Sequence, residues 1–179
     1  MTVHAFVDES RRQDTYYLAA AIIRPRDLAQ LRARLRGMLF PGQRELHFYR
    51  EKPTRRRAIL SQVAGFGVAA RIYGASCRRG EEIARQECLT RLTGDLVDLG
   101  AHRLVLDSRE VRDELDRSTI SRALVKRPDS GGLVYEHMNS TSDPLLWIAD
   151  IAVWCHGAGG DWARRAAPLI GPVTRLDWP

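Results

Sequence analysis

The sequence predicts an α/β fold, a mixed five-stranded sheet flanked by helices. Three observations carry that expectation: two strand-like runs at the N-terminus joined by a short polar turn, alternating helical and strand periodicity afterwards, and acidic residues set directly against apolar runs. The 179 residues, 44% of them hydrophobic, suit one domain over 1–179 with a helical insertion at about 26–65.

Val3 to Val7 is the apolar run of a buried strand, and Asp8-Glu9-Ser10 follows it at once. Arg11 to Asp14 is a polar turn, and Thr15 to Ile23, rich in Tyr, Ile and Ala, completes a hairpin. Arg24-Pro25-Arg26-Asp27 stops that strand. Leu28, Leu31, Leu35 and Leu39 then recur at helical spacing, giving an amphipathic helix to about Phe40 that Pro41-Gly42 ends. The mixed segment Arg44 to Tyr49 leads through Pro53 into a basic helix that stops near Ala64-Gly65, and Val68 to Ala75 is the third strand. Gly80 to Leu99 is a long helix with Ile83, Leu89, Leu92, Leu96 and Leu99 on an imperfect apolar face and Gly100 as its stop. Arg103 to Ser108 is the fourth strand, Glu110 to Val125 a charged helix, Pro128 to Gly132 a turn and Leu133 to Met138 the fifth strand. Asp143 and Pro144 form a helix cap and first turn for Leu145 to His156. Gly157 to Pro179 reads as Gly- and Pro-rich breaks around a short Arg-bearing helix.

Lys and Arg number 28 against 22 Asp and Glu, a formal +6, and nearly all of the positive charge is Arg. Guanidinium forks match phosphate, so nucleic acid is a candidate partner, although an Arg-rich composition also follows from a GC-rich genome. Three cysteines without CxxC or zinc spacing, and no signal-like apolar core at the N-terminus, lead to the expectation of a reduced, cytoplasmic protein. The longest apolar stretch, Pro144 to Cys155 interrupted by Asp150, is too short to cross a bilayer. No phosphate-binding G-x-x-x-x-G-K-[ST] loop and no G-x-S-x-G nucleophile motif is present, and Gly157 to Gly160 lacks the preceding strand that a dinucleotide site needs.

The acids carry the chemistry. Asp150 has Leu146, Trp147, Val153 and Trp154 as its helical neighbours one turn away, so no basic side chain on its own helix pairs with it. A charge placed there needs a metal, a catalytic purpose or an arginine from another element. Asp8 and Asp107 each end an apolar run, the position of a metal ligand and equally of a turn-former or cap. Asp143, just before Pro144, reads first as a cap. Glu9 points away from Asp8 if the strand continues. Glu45 and His47, two apart on an extended segment, share a face, as ligand and proton-transfer group or as a packed pair. Glu81, Glu82 and Glu87 on the long helix are rivals for a second metal, or simply a solvated face. Arg50, Lys52, Arg55, Arg56 and Arg57 form a candidate phosphate track, or a solvated basic helix.

The opening F-V-D-E-S, the central E-L-H-F and the closing S-D-P-L-L-W-I-A-D resemble a large, mostly uncharacterised bacterial family of ribonuclease H-like nucleases, over about Val3 to Trp154. The resemblance implies a ribonuclease H-like sheet with Asp8, Glu45, Asp107 and Asp150 as the acidic set, and Glu9, His47 and Asp143 close by. The sequence departs from the family at Arg11, where glycine is usual, and from ribonuclease H itself at Glu45, which precedes the third strand instead of sitting on the helix that bears the glutamate there. The implied activity is Mg²⁺- or Mn²⁺-dependent hydrolysis of DNA or RNA phosphodiesters by two metals, with Asp8 bridging, Asp107 and Glu45 on one side, Asp150 on the other, and His47 assisting proton movement. A non-catalytic nucleic-acid- or partner-binding module and an integrase-type strand transferase are the alternatives. The oligomeric state is left open by the sequence; Trp162 and Trp178 in the short tail offer a subunit contact through which a homodimer could form.

Overall fold

The computed structural model describes residues 2–127 and 132–176. Most of the expected 128–132 turn, and Trp178, lie outside the described residues. Among these residues six strands form one sheet in the order β5-β4-β1-β2-β3-β6: β1 Val3–Arg12, β2 Thr15–Ile23, β3 Ala69–Ser76, β4 Ala101–Asp107, β5 Val134–Met138 and β6 Ile170–Arg175. The β1–β2 hairpin is antiparallel from His4↔Ile23 to Arg12↔Thr15, and Gln13 takes a left-handed φ of 52° in its two-residue turn. β1 pairs in parallel with β4, and β4 with β5. β3 is antiparallel to β2 and parallel to β6.

The sixth strand is one more than the sequence predicts. Pro172 argues against a strand, but β6 is at the sheet edge and its register with β3 shifts between Ala70 and Ile72, where an edge strand tolerates proline.

Among the described residues six α-helices cover the sheet: α1 Leu28–Arg36, α2 Pro53–Ala64, α3 Glu81–Asp98, α4 Asp113–Val125, α5 Leu146–Ala158 and α6 Gly160–Ala166. Strand alternation divides the interior into two cores. Phe6, Ala19, Ala21 and Val105 pack with Ile148, Ala149 and Ala152 of α5, while Val7, Leu18, Leu104 and Leu106 pack with Leu89 and Leu92 of α3. α5 is apolar nearly all round because sheet lies on one side and α6 on another. Among the described residues no helix is long and apolar enough to cross a membrane.

This alternation places the acids. Asp8 shares the parity of Phe6 and Asp107 that of Val105, so both point to the α5 side. Val7↔Leu106 is the last pair of the β1–β4 ladder, and Asp8 and Asp107 follow it on adjacent strands. Glu9 points the other way, because β1 continues to Arg12.

Candidate active site

Asp8, Asp107 and Asp150 line a single cleft of about 440 Å³, with His47, Arg50 and Arg109 around it. The strands deliver the first two, and α5 the third. The helix is aimed by Asp143, whose carboxylate accepts the Leu145 N–H at 3.1 Å and is gripped by Arg32 at 2.6 Å. Asp143 therefore caps the first turn and carries its own counter-charge.

The three cleft acids differ. Among the described residues, none of them has a Lys or Arg nitrogen within ion-pair distance. Asp8 accepts the N–H of Glu9 at 2.7 Å, yet its carboxyl is held well above the usual range, first by burial and then by the charge of Asp150. Burial also pushes Asp150 up to about 6, against the Phe48 N–H that donates to its Oδ2 at 3.1 Å. Asp107 is likewise pushed up to about 6, by burial and then by Glu9, with Arg109 opposing. Each shift has the same cause: carboxylates gathered where water is scarce and cations are not in contact.

Glu45 does not itself line the cleft; it stands beside it at the rim, bonded to the lining residues His47 and Ser140. Burial raises its carboxyl, but hydrogen bonds from Ser140 and His47 outweigh that, and the net shift is downward. His47 Nε2 is 2.7 Å from Glu45, and the His47 charge also acts on Asp150. Among the described residues no group of three or more His, Cys, Asp or Glu side chains stands at distances that would hold a metal ion.

Glu9 belongs to another assembly. Its Oε1 lies 2.9 Å from Arg85 and 2.7 Å from Arg109. Arg85 is almost fully buried and also grips Asp116 at 2.6 Å and donates to the Tyr16 hydroxyl at 2.5 Å. His137 Nε2 completes the set, 3.1 Å from Asp116. Sequence reasoning missed this network, although Arg85 sits between Ala84, Cys88 and Leu89 on the apolar stripe of α3, and a cation there needs buried anions. Arg109 was missed too; it contacts Glu9 and reaches into the cleft.

The other candidates fall as follows. Glu81 pairs with Arg11 and Arg112, Glu82 approaches Arg112, and Glu87 pairs with Arg79; none of the three lines the cleft. Arg55 is tied to Glu51, the Met38 carbonyl and the Phe40 ring. Arg50 is exposed at the cleft, Lys52 and Arg57 are exposed beside it in sequence, and Arg56 lies over Trp154 and Trp162. Trp162 packs edge-on against Trp154 and Phe48.

No protein-family model matches the sequence, and no curated protein matches it. Among solved structures, a chain of the PCNA:RNase HII complex from Archaeoglobus fulgidus superposes with a TM-score of 0.57. The match covers 99% of this protein and 95% of that one, at 15% identity. The fold is ribonuclease H-like. At that identity the likeness concerns architecture. The neighbouring ends of β1 and β4, facing α5, are where these acids meet.

Proposed function

We propose that the protein hydrolyses phosphodiester bonds of a nucleic acid with the help of divalent cations. One observation carries the reading: carboxylates from β1, β4 and α5, far apart in sequence, share one cleft without, among the described residues, a basic side chain in ion-pair contact, and all three are shifted upward. Paired buried charges of one sign are stable only with counter-charge or a proton, and perturbed carboxyls cluster at working sites.

The donor set fits a hard cation. Asp8, Asp107 and Asp150 offer oxygens only, which suits Mg²⁺ or Mn²⁺ better than zinc, and Glu45 stands at the rim as an additional donor. A bound ion would activate water and neutralise charge on the phosphate. The protein's own residues do the rest. The Phe48 N–H fixes one oxygen of Asp150, Ser140 and Glu45 hold the His47 ring at the cleft edge, and His47 is thereby placed to take or give a proton. Arg50 and Arg109 supply positive charge beside the acids, where a run of phosphates would lie.

The fold likeness to a structure of an RNase HII complex is consistent with this reading. The competing reading is a non-catalytic nucleic-acid-binding module, favoured by the lack, among the described residues, of three ligands already at metal-holding distances. Incubating the protein with labelled DNA and RNA in Mg²⁺ or EDTA separates the two. Cleavage that needs the cation and disappears in Asp8→Asn supports hydrolysis; equal cleavage by the mutant, or none by either, refutes it. A DNA end with a free 3′-hydroxyl in the same assay reveals strand transfer as joined product.

A further inference from the structure

On α5, one turn beyond Asp150, stands Trp154, and both side chains face the cleft. Two guanidiniums lie over that one indole: Arg12, from the end of β1, with its central carbon 5.2 Å from the ring centroid, and Arg56, from α2, at 4.7 Å. Arg56 also lies 5.2 Å from the Trp162 ring. The platform beneath them is rigid, because Trp154 meets Phe48 and Trp162 edge-to-face at centroid distances of 5.3 and 5.4 Å. Phe48 is the residue whose N–H holds Asp150, so the platform and the acid cleft share a part.

These two arginines are unlike most others in the protein. Among the described residues neither has an ion-pair partner, and the buried Nε of each has no hydrogen-bond acceptor. A guanidinium has five donors in a planar fork, and burying one without an acceptor is unfavourable; stacking on an indole offsets part of that and leaves the fork edge open. The backbone is also shaped for it. A Cβ at Gly157 would stand 2.9 Å from Arg12 Cγ and 3.4 Å from its Nε, so Arg12 crosses α5 where the helix has no side chain.

We propose that Arg12 and Arg56, stacked on Trp154, form a clamp for a backbone phosphate of the nucleic-acid strand whose neighbouring bond lies at Asp8 and Asp150. The inference rests on the phosphodiester reading of the cleft and adds to it a place and a chemistry for holding the strand. The clamp reads phosphate only, so it contributes affinity and register without sequence preference. Trp154 and Gly157 are positioning residues; Arg12 and Arg56 make the contact.

The test is binding of fluorescein-labelled oligonucleotides, as single-stranded DNA, single-stranded RNA and duplex DNA, to full-length Asp8→Asn protein in magnesium buffer over a salt series. Arg12→Gln and Arg56→Gln are each expected to weaken binding about three- to tenfold, equally for all sequences, and to lower the salt slope by about one. Gly157→Ala keeps the charge but displaces Arg12, and is expected to weaken binding as Arg12→Gln does. Arg117→Ala, on the exposed face of α4, is expected to leave binding unchanged. Melting temperatures are read in parallel. Unchanged affinity and salt slope in both glutamine variants, or a fall in melting temperature with no change in binding, overturns the clamp and marks the stack as structural. So does the absence of binding to all three probes. Wild-type cleavage is scored separately: cleavage with unaffected binding in the variants defeats the clamp alone, whereas salt-dependent binding that both arginines control, without cleavage, defeats the nuclease reading and keeps the clamp.

Discussion

Asp8 and Glu9 are neighbours on one strand, and they have opposite surroundings. Glu9 faces α3, where Arg85 and Arg109 meet its carboxylate and Asp116, Tyr16 and His137 complete a network around Arg85. Asp8 faces α5, where it shares the cleft with Asp107 and Asp150 and its own carboxyl is pushed up. One side of the sheet neutralises its buried charge from within. The other side gathers three carboxylates, with Arg109 beside them and, among the described residues, no basic side chain in ion-pair contact. A fold carrying a compensated network a residue away has the arginines to quench Asp8 and Asp150, so the bareness of the cleft is a property of its arrangement and not of composition.

The largest expected effect comes from breaking the compensated side. Arg85→Met leaves the buried Asp116 without an arginine and Glu9 with Arg109 alone, and should lower unfolding stability by about 3–5 kcal/mol in urea titrations. A change below about 1 kcal/mol would mean that the network is better solvated than its burial indicates. On the open side the same kind of lesion should do the reverse. Asp8→Asn removes one of several mutually repelling carboxyls, so stability should hold or rise by about 1 kcal/mol at pH 7.5 while Mg²⁺-dependent cleavage disappears. Loss of stability comparable to Arg85→Met would erase the distinction between the two sides.

The pH dependence sharpens the contrast. Asp107 and Asp150 have folded values of about 6 against ordinary values of 3.8, so between those limits the folded protein holds protons that the unfolded chain has released. A raised carboxyl therefore destabilises as pH rises: the loss begins near pH 4 and is complete above about pH 6. In EDTA the wild type should melt at a lower temperature at pH 7.5 than at pH 5, and Asp150→Asn should flatten that difference. A melting temperature independent of pH between 5 and 7.5 in the wild type would contradict the assignment.

The smallest effect is expected at the rim. Glu45 is engaged by Ser140 and His47, so Glu45→Gln should keep the fold and raise the Mg²⁺ concentration for half-maximal cleavage several-fold without abolishing activity. Complete loss of activity would move Glu45 from the rim into the centre.

Much of this was legible in the residues. The apolar run before Asp8, the run before Asp107 and the all-apolar helix around Asp150 predicted where each acid sits in the sequence, and period-two alternation predicted that Glu9 would face away from Asp8. What escaped was what depends on long-range convergence. Arg85, Asp116 and His137 come from α3, α4 and β5, and no local spacing pairs them, although a lone arginine on an apolar helical stripe was the available clue. Strand β6 escaped because Pro172 breaks the ordinary strand pattern, and only an edge position with a shifted register accommodates it. The arginine triplet on α2 looked uniform in sequence. In three dimensions Arg55 is bound to Glu51, Arg56 lies on two tryptophans and Arg57 is exposed, since successive helical residues point about 100° apart.

The most direct test of the open cleft is a crystal of the wild-type protein soaked in Mn²⁺, with the anomalous signal of the ion recorded. The account expects a peak within ligand distance of Asp8 and Asp150, absent from identically treated Asp8→Asn crystals. A wild-type cleft that remains without a peak at millimolar Mn²⁺, with Asp8 and Asp150 each turned onto an arginine instead, would contradict it.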